Sequence, residues 1–129
     1  MSSWEDVSRI ALALPQSSER VVRGARRWEV GGKMLAWERP LRPKEVEALG
    51  DAAPDGPILA ARVEHLVAKQ TLLEAQPGLF FTTAHFNRSP IVLARLDRLT
   101  DGDLEELVTE AWLARAPKRL TDAYLSGRD

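Results

Sequence analysis

The dipeptide Gly31-Gly32 constrains this chain more than any other feature, because it separates two runs of alternating character, Arg26 to Val30 and Lys33 to Glu38. A two-residue turn that matches strand twist needs positive φ at both central positions, which glycine adopts without steric cost. The pair therefore predicts a tight β-hairpin. Alternation puts Arg27 and Glu29 opposite Trp28 and Val30, and gathers Lys33, Leu35 and Trp37 on one side of the return strand.

The rest of the chain divides around that hairpin. Ser3 suits an N-cap, and Trp4, Val7, Ile10, Ala11 and Leu14 make one helical stripe that Pro15 stops. A strand over Arg20 to Arg23, separated by Gly24 from one over Arg27 to Val30, completes a three-stranded meander with Lys33 to Glu38. Pro43 opens a helical turn over Lys44 to Leu49 that Gly50 ends, and the Pro- and Gly-rich stretch 51–57 reads as a surface loop. Ile58 to Val63 forms a fourth strand beside the meander. His65 to Ala75 then has helical spacing, with Leu66, Lys69, Leu72 and Leu73 on its stripe, and Pro77-Gly78 closes it.

Leu79 to Thr83 and Ile91 to Leu96 read as two further strands joined by a loop through His85, Asn87 and Arg88. Thr100 with Asp103 forms a capping pair ahead of the stripe Leu104, Leu107, Val108, Ala111 and Trp112. Pro117 interrupts, and Lys118 to Leu125 forms a terminal helix. The strands lie too close together early in the chain for helical crossovers. The expected class is α+β: two layers, with a largely antiparallel sheet of five to six strands covered on one face by helices.

Composition narrows the function classes. The chain has 129 residues, enough for one domain spanning 1–129. It has no cysteine, which excludes disulfides and thiolate metal sites. No basic start with an apolar run marks a signal peptide, and no segment reaches the length of a membrane span, so a cytoplasmic location without membrane contact is expected.

The net charge of −1 is unlike that of a nonspecific polyanion binder. It hides an asymmetry. Arg20, Arg23, Arg26, Arg27, Lys33, Arg39 and Arg42 stand against Glu19, Glu29 and Glu38, while Asp101, Asp103, Glu105, Glu106 and Glu110 have no basic residue among them. Such separation steers a charged partner to one side. Equally, it describes two solvated faces, with the arginines paired across strands to Glu19, Glu29 and Glu38.

Chemistry-bearing motifs are sparse. His65 and His85 lack metal-ligand spacing, so no metal is expected. His85 titrates in a range suited to acid-base work, but neither Thr82 nor Ser89 lies in a strained nucleophile elbow. Gly31-Gly32-Lys33 lacks the spacing and following helix of a phosphate loop. Neither enzymatic activity nor a cofactor is expected. Trp28 and Trp37 suit packing in the core or at its rim, and Trp112 suits the core.

The segments Trp28-Glu29-Val30-Gly31-Gly32-Lys33-Met34-Leu35-Ala36-Trp37, Phe80-Phe81-Thr82-Thr83-Ala84-His85-Phe86, Pro90 to Leu96 and Ala111 to Leu120 occur in an order that resembles the MmcQ/YjbR family of small bacterial proteins. The resemblance spans nearly the whole chain. It implies an α+β fold likened to secretion-chaperone and CyaY-like arrangements, and DNA binding through a double wing. The chain departs from the family at Arg88-Ser89, where relatives often carry Gly and an aromatic residue.

With that resemblance, the first expected wing is the Gly31-Gly32 hairpin and the second is Phe81 to Ile91. The candidate DNA contacts are Arg20, Arg23, Arg26, Arg27, Lys33, Arg39, His85 and Arg88, with duplex DNA as partner. Arg26 and Arg27 are expected at the surface, where charge reversal would leave stability unchanged. Two other readings stand beside this one: a protein-interaction or self-associating module that uses the sheet face or the acidic helix, and a small-ligand pocket between sheet and helices near His85.

Overall fold

Both early hairpins turn on two residues with positive φ: Arg23 and Gly24 at 53° and 81°, then Gly31 and Gly32 at 59° and 78°. These turns join β1 (Ser17–Val22), β2 (Ala25–Val30) and β3 (Lys33–Glu38) into the expected meander. The computed structural model describes residues 2–127. Met1, Arg128 and Asp129, which the expected 1–129 domain includes, lie outside the described residues.

The meander extends through β4 (Ile58–Arg62), β5 (Phe80–Phe81) and β6 (Ile91–Arg95) into a six-stranded sheet of order β1-β2-β3-β4-β6-β5. Every pairing is antiparallel. The helices are α1 (Trp4–Leu12), α2 (Pro43–Leu49), α3 (Leu66–Ala75), α4 (Asp101–Arg115) and α5 (Lys118–Ser126). Ser3 with Asp6 and Thr100 with Asp103 form complete capping boxes, each satisfying otherwise orphaned N–H groups at the first turn.

Helices α1 and α4 lie on one sheet face and enclose the main core. Trp28, Leu35, Leu59, Val92, Leu104, Val108 and Trp112 are all fully buried there. Burial of each such side chain contributes about 1.5–3 kcal/mol. The Trp28 indole N–H donates to Glu19 at 2.6 Å, and the Trp112 indole N–H donates to the Pro15 carbonyl at 3.0 Å, so both rings are buried with their polar atom satisfied.

Several boundaries differ from the sequence reading: β2 begins at Ala25 instead of Arg27, and β4 and β6 each end one residue early, at Arg62 and Arg95. Strand β1 begins at Ser17, because edge pairing with β2 accommodates polar side chains that sequence alone assigns to a turn. Arg23 leaves the strand for the turn. Strand β5 keeps only Phe80 and Phe81, since the chain turns into a 3-10 segment over Ala84–Phe86.

The alternation expected along β3 also breaks. Trp28 pairs with Ala36 and Glu29 with Met34, leaving Leu35 unpartnered in a β-bulge. Leu35 and Ala36 consequently both enter the main core, whereas Trp37 turns to the opposite face. Lys33, Leu35 and Trp37 therefore do not share one side.

That opposite face carries its own smaller apolar cluster of Ile58, Ala60, Phe81, Phe86 and Leu93, against which Trp37, Leu41, Leu49 and Ile91 pack. It is free of the long helices, and α2 and the 84–86 segment pack over it, its five core members being at most 8% exposed.

Candidate nucleic-acid interface and the adjoining cleft

One cross-strand row organises the helix-poor face. Arg20 pairs with Arg27, Arg27 with Trp37, Trp37 with Ala60, Ala60 with Leu93, and Leu93 with Phe81. Residues directly opposite in an antiparallel sheet point the same way, so this row runs from two guanidinium groups into an apolar patch. Trp37 meets the Phe86 ring at 6.5 Å between centroids, linking the row to the segment that carries His85 and Arg88.

The eight sequence-predicted residues do not form one ribbon. Arg20 and Arg27 share the helix-poor face, and Arg20 donates to the Glu29 carboxylate at 3.2 Å. Arg23 is exposed at the first hairpin tip, and Arg88 is exposed after the 84–86 segment. His85 is exposed with its ring edge-on to Phe86 at 4.7 Å. Among the described residues it has no hydrogen bond to a hydroxyl or carboxylate.

Four expectations need correction. Arg26 is on the helix side of β2, 30% exposed, where it donates to Glu5 at 3.3 Å and lies 3.8 Å from Glu38. Its alternation with Arg27 turns it toward α1, so it is a bridging side chain and not a free surface charge. Arg39 is 9% exposed. It holds Glu45 through two hydrogen bonds of 3.0 and 2.9 Å and lies over the Phe86 ring at 5.2 Å. Its charge is spent on anchoring α2. Lys33 is exposed but pairs with Val30, which faces the main core, so its side is not that of Arg20 and Arg27. The hairpin tip is also no free wing: a Cβ on Gly31 would lie 3.6 Å from the Pro117 ring, which places the tip beside the α4–α5 junction.

Two cations that sequence reasoning left out of the site belong near it. Arg42 and Lys44 are exposed on either side of Pro43, and no carboxylate pairs with either side chain among the described residues. They stand at the rim of an open cleft of about 730 Å³ between α2 and the 82–87 segment. Its signal in sequence was slight, since a Pro-initiated turn flanked by cations reads as ordinary solvated surface.

Within the cleft wall, burial alone would raise the Glu45 carboxyl, but the Arg42 backbone N–H and the Arg39 guanidinium outweigh it and hold the group below its usual range. The Thr83 hydroxyl is near enough to Glu45 to add to that effect, yet it makes no hydrogen bond of good geometry.

Lys69 is the second omission. It is 3% exposed and its ammonium donates to the carbonyls of Phe86 and Ser89 at 2.5 and 3.0 Å. Burial lowers its pKa. A lysine in the helical stripe Leu66, Lys69, Leu72 was the available signal. His65 caps α3, its Nδ1 accepting from the Ala68 N–H at 3.0 Å. No cluster of three or more His, Cys, Asp or Glu able to hold a metal occurs among the described residues. No helix among them is long and apolar enough to cross a membrane.

The arrangement defines a small α+β protein with an antiparallel open sheet, one face under long helices and the other free of them and edged with cations. The YjbR family model matches residues 12–114, and the chain belongs to that family. It is 46% identical over 129 residues to the uncharacterized protein Rv2570 of Mycobacterium tuberculosis (strain ATCC 25618 / H37Rv), with 98% of each chain covered. The uncharacterized protein Mb2600 of Mycobacterium bovis is similar to the same extent. Among solved structures, the chain is similar to Deinococcus radiodurans protein DR2400, a DUF419 protein, at a TM-score of 0.67 and 22% identity, covering 98% of this chain and 88% of that one. That likeness concerns the fold.

Proposed function

We propose that this protein binds duplex DNA without catalysis or cofactor, using the helix-poor sheet face. Arg20 and Arg27 contact phosphates from one side, and Arg42, Lys44 and Arg88 do so from the segments that cover the small apolar cluster. The observation that carries this reading is the opposition of charge across the sheet. Asp101, Glu105, Glu106 and Glu110 are exposed on α4, over one face. On the other, Glu29 is occupied by Arg20 and Glu45 by Arg39, although Glu47 on α2 remains exposed.

A protein of net charge near zero then presents one anionic and one cationic side, and a polyanion is steered to the second. Membership of a family described as DNA-binding supports the same reading. The contact differs from hairpin insertion into the major groove, since the Gly31-Gly32 tip rests near Pro117. Tracking of the phosphate backbone fits a flat basic edge better.

Duplex DNA titrated at several salt concentrations tests the proposal. Each neutralised phosphate contributes about 0.9 to the slope of log affinity against log salt, so several contacts give a steep line. Affinity that is absent at low salt, or indifferent to salt, rejects it.

Self-association is the second reading, favoured by β1 being a sheet edge with Val21 65% exposed. Edge strands leave backbone groups open to a further strand. A concentration-dependent dimer with no DNA affinity would support that reading instead.

A further inference from the structure

We propose that the cleft between α2 and the 82–87 segment is a binding site for a small amphipathic carboxylate, whose apolar body lies along Ala48, Leu49 and Ala84 while its anionic end meets Arg42 and Lys44. The space, about 730 Å³, falls in the range of small-molecule sites and far exceeds a packing defect. Two independent observations converge on this occupant.

Part of the wall, along Ala48, Leu49 and Ala84, is apolar. Leu49 packs on the small cluster with Phe86 and Phe81, so a hydrocarbon body entering the cleft would extend an existing core. Thr83 also lines the cleft, with its hydroxyl buried beside Glu45.

Charge selects the sign of the ligand. Arg42 and Lys44 line the same cleft with free cationic ends, and Asn87 adds an amide across from them. The carboxylate among the lining residues, Glu45, is neutralised by Arg39 at 2.9 Å and does not repel an anion as a free charge would. The cleft shares Arg42 and Lys44 with the proposed phosphate contacts, but its concave, partly apolar wall cannot follow a nucleic-acid backbone, so binding of a small anion here does not require that the chain bind DNA.

Octanoate is a suitable probe and octanol its neutral control. Titration of each into isotope-labelled protein, followed by backbone amide shifts, should give saturable changes centred on Ala48, Leu49, Thr83 and Ala84. Octanoate should bind about tenfold more tightly than octanol, the difference expected of one charge-assisted contact. Replacing both Arg42 and Lys44 with Ala should remove that advantage and leave octanol binding unchanged. Ala48→Trp, at an exposed helical position, should block both probes while the amide spectrum elsewhere stays that of the folded protein.

Shifts scattered away from the cleft, no saturation below about 1 mM, or equal affinity for the two probes in the unaltered protein would each overturn the proposal. Because the readout uses no DNA, these results stand whether or not the chain binds a duplex.

Discussion

The ammonium of Lys69 reaches from α3 to the backbone of Phe86, donating to its carbonyl at 2.5 Å. With a second bond to Ser89 at 3.0 Å, one buried side chain ties down both ends of the turn that follows the 84–86 segment. Lys69→Met keeps the aliphatic stem and removes this donor from both carbonyls, of which Phe86 still accepts the Ser89 N–H and Ser89 the Ile91 N–H. Losing a hydrogen bond to a charged group costs about 1.5–3 kcal/mol, and relief of the ammonium's burial offsets part of that. The expected net loss is about 1–2 kcal/mol. Amide exchange should quicken at Phe86, Asn87, Ser89 and Ile91, whose N–H groups bond within this turn, and not in α4. Unchanged exchange there would mean that the turn holds itself without Lys69.

Stability should fall in acid through Glu45. Its pKa in the folded protein is lowered from the ordinary value of 4.5, so the folded state favours the ionised form. That contribution is fully present above 4.5 and is lost as pH falls through the depressed folded value. Glu45→Gln leaves Arg39 without its counter-charge in a largely buried setting but keeps one amide oxygen as an acceptor, at a cost of about 1.5–3 kcal/mol near neutrality. The unfolding curves of the two proteins should converge as pH drops below 4.5, measured by denaturant titration. A constant gap down to strongly acidic pH would remove Glu45 from the acid response.

Much of this fold was legible because local chemistry and global packing agree. Two glycines demand a turn, Thr100 and Asp103 demand a helix start, and the stripe from Leu104 to Trp112 demands a surface to cover. The bulge at Leu35 left no trace, because a single extra residue changes no composition and is fixed only when β3 must satisfy both neighbours. The face of each arginine depended on that register and on α2 folding back, neither of which is local. Arg39 shows the limit most plainly: in sequence it is one cation in a basic run, and in the fold it is a buried clasp.

The Gly31-Gly32 turn yields a prediction that space alone would miss. A Cβ at Gly31 would make only ordinary contact with Pro117, and one at Gly32 would meet nothing within 4 Å. Sterics with neighbours therefore predict no penalty at either position. Backbone conformation predicts otherwise, since φ is 59° and 78°, and alanine in that region costs about 1–2 kcal/mol. Gly31→Ala and Gly32→Ala should each lower stability by that amount, and similarly to one another. A large excess at Gly31 would point to tighter packing on Pro117 than the structure has.

Arg26 and Arg27 are adjacent in sequence but face opposite sides of β2, which makes them a matched pair for testing the DNA reading. Arg27→Ala removes a cation from the helix-poor face, where its cross-strand neighbours are Arg20 and Trp37. It should weaken duplex binding and reduce the salt slope by about one, with little change in thermal midpoint. Arg26→Ala should do the reverse. It breaks the link from β2 to Glu5 and Glu38, lowering stability by up to about 1 kcal/mol, while DNA affinity stays level. Charge reversal of both residues together confounds the two effects, because a glutamate at position 26 would sit against two existing carboxylates. The single substitutions separate them. Equal losses of DNA affinity at the two positions would mean that the long-range field, and not the helix-poor face, attracts the duplex; loss at Arg26 alone would place the contact on the wrong side of the sheet.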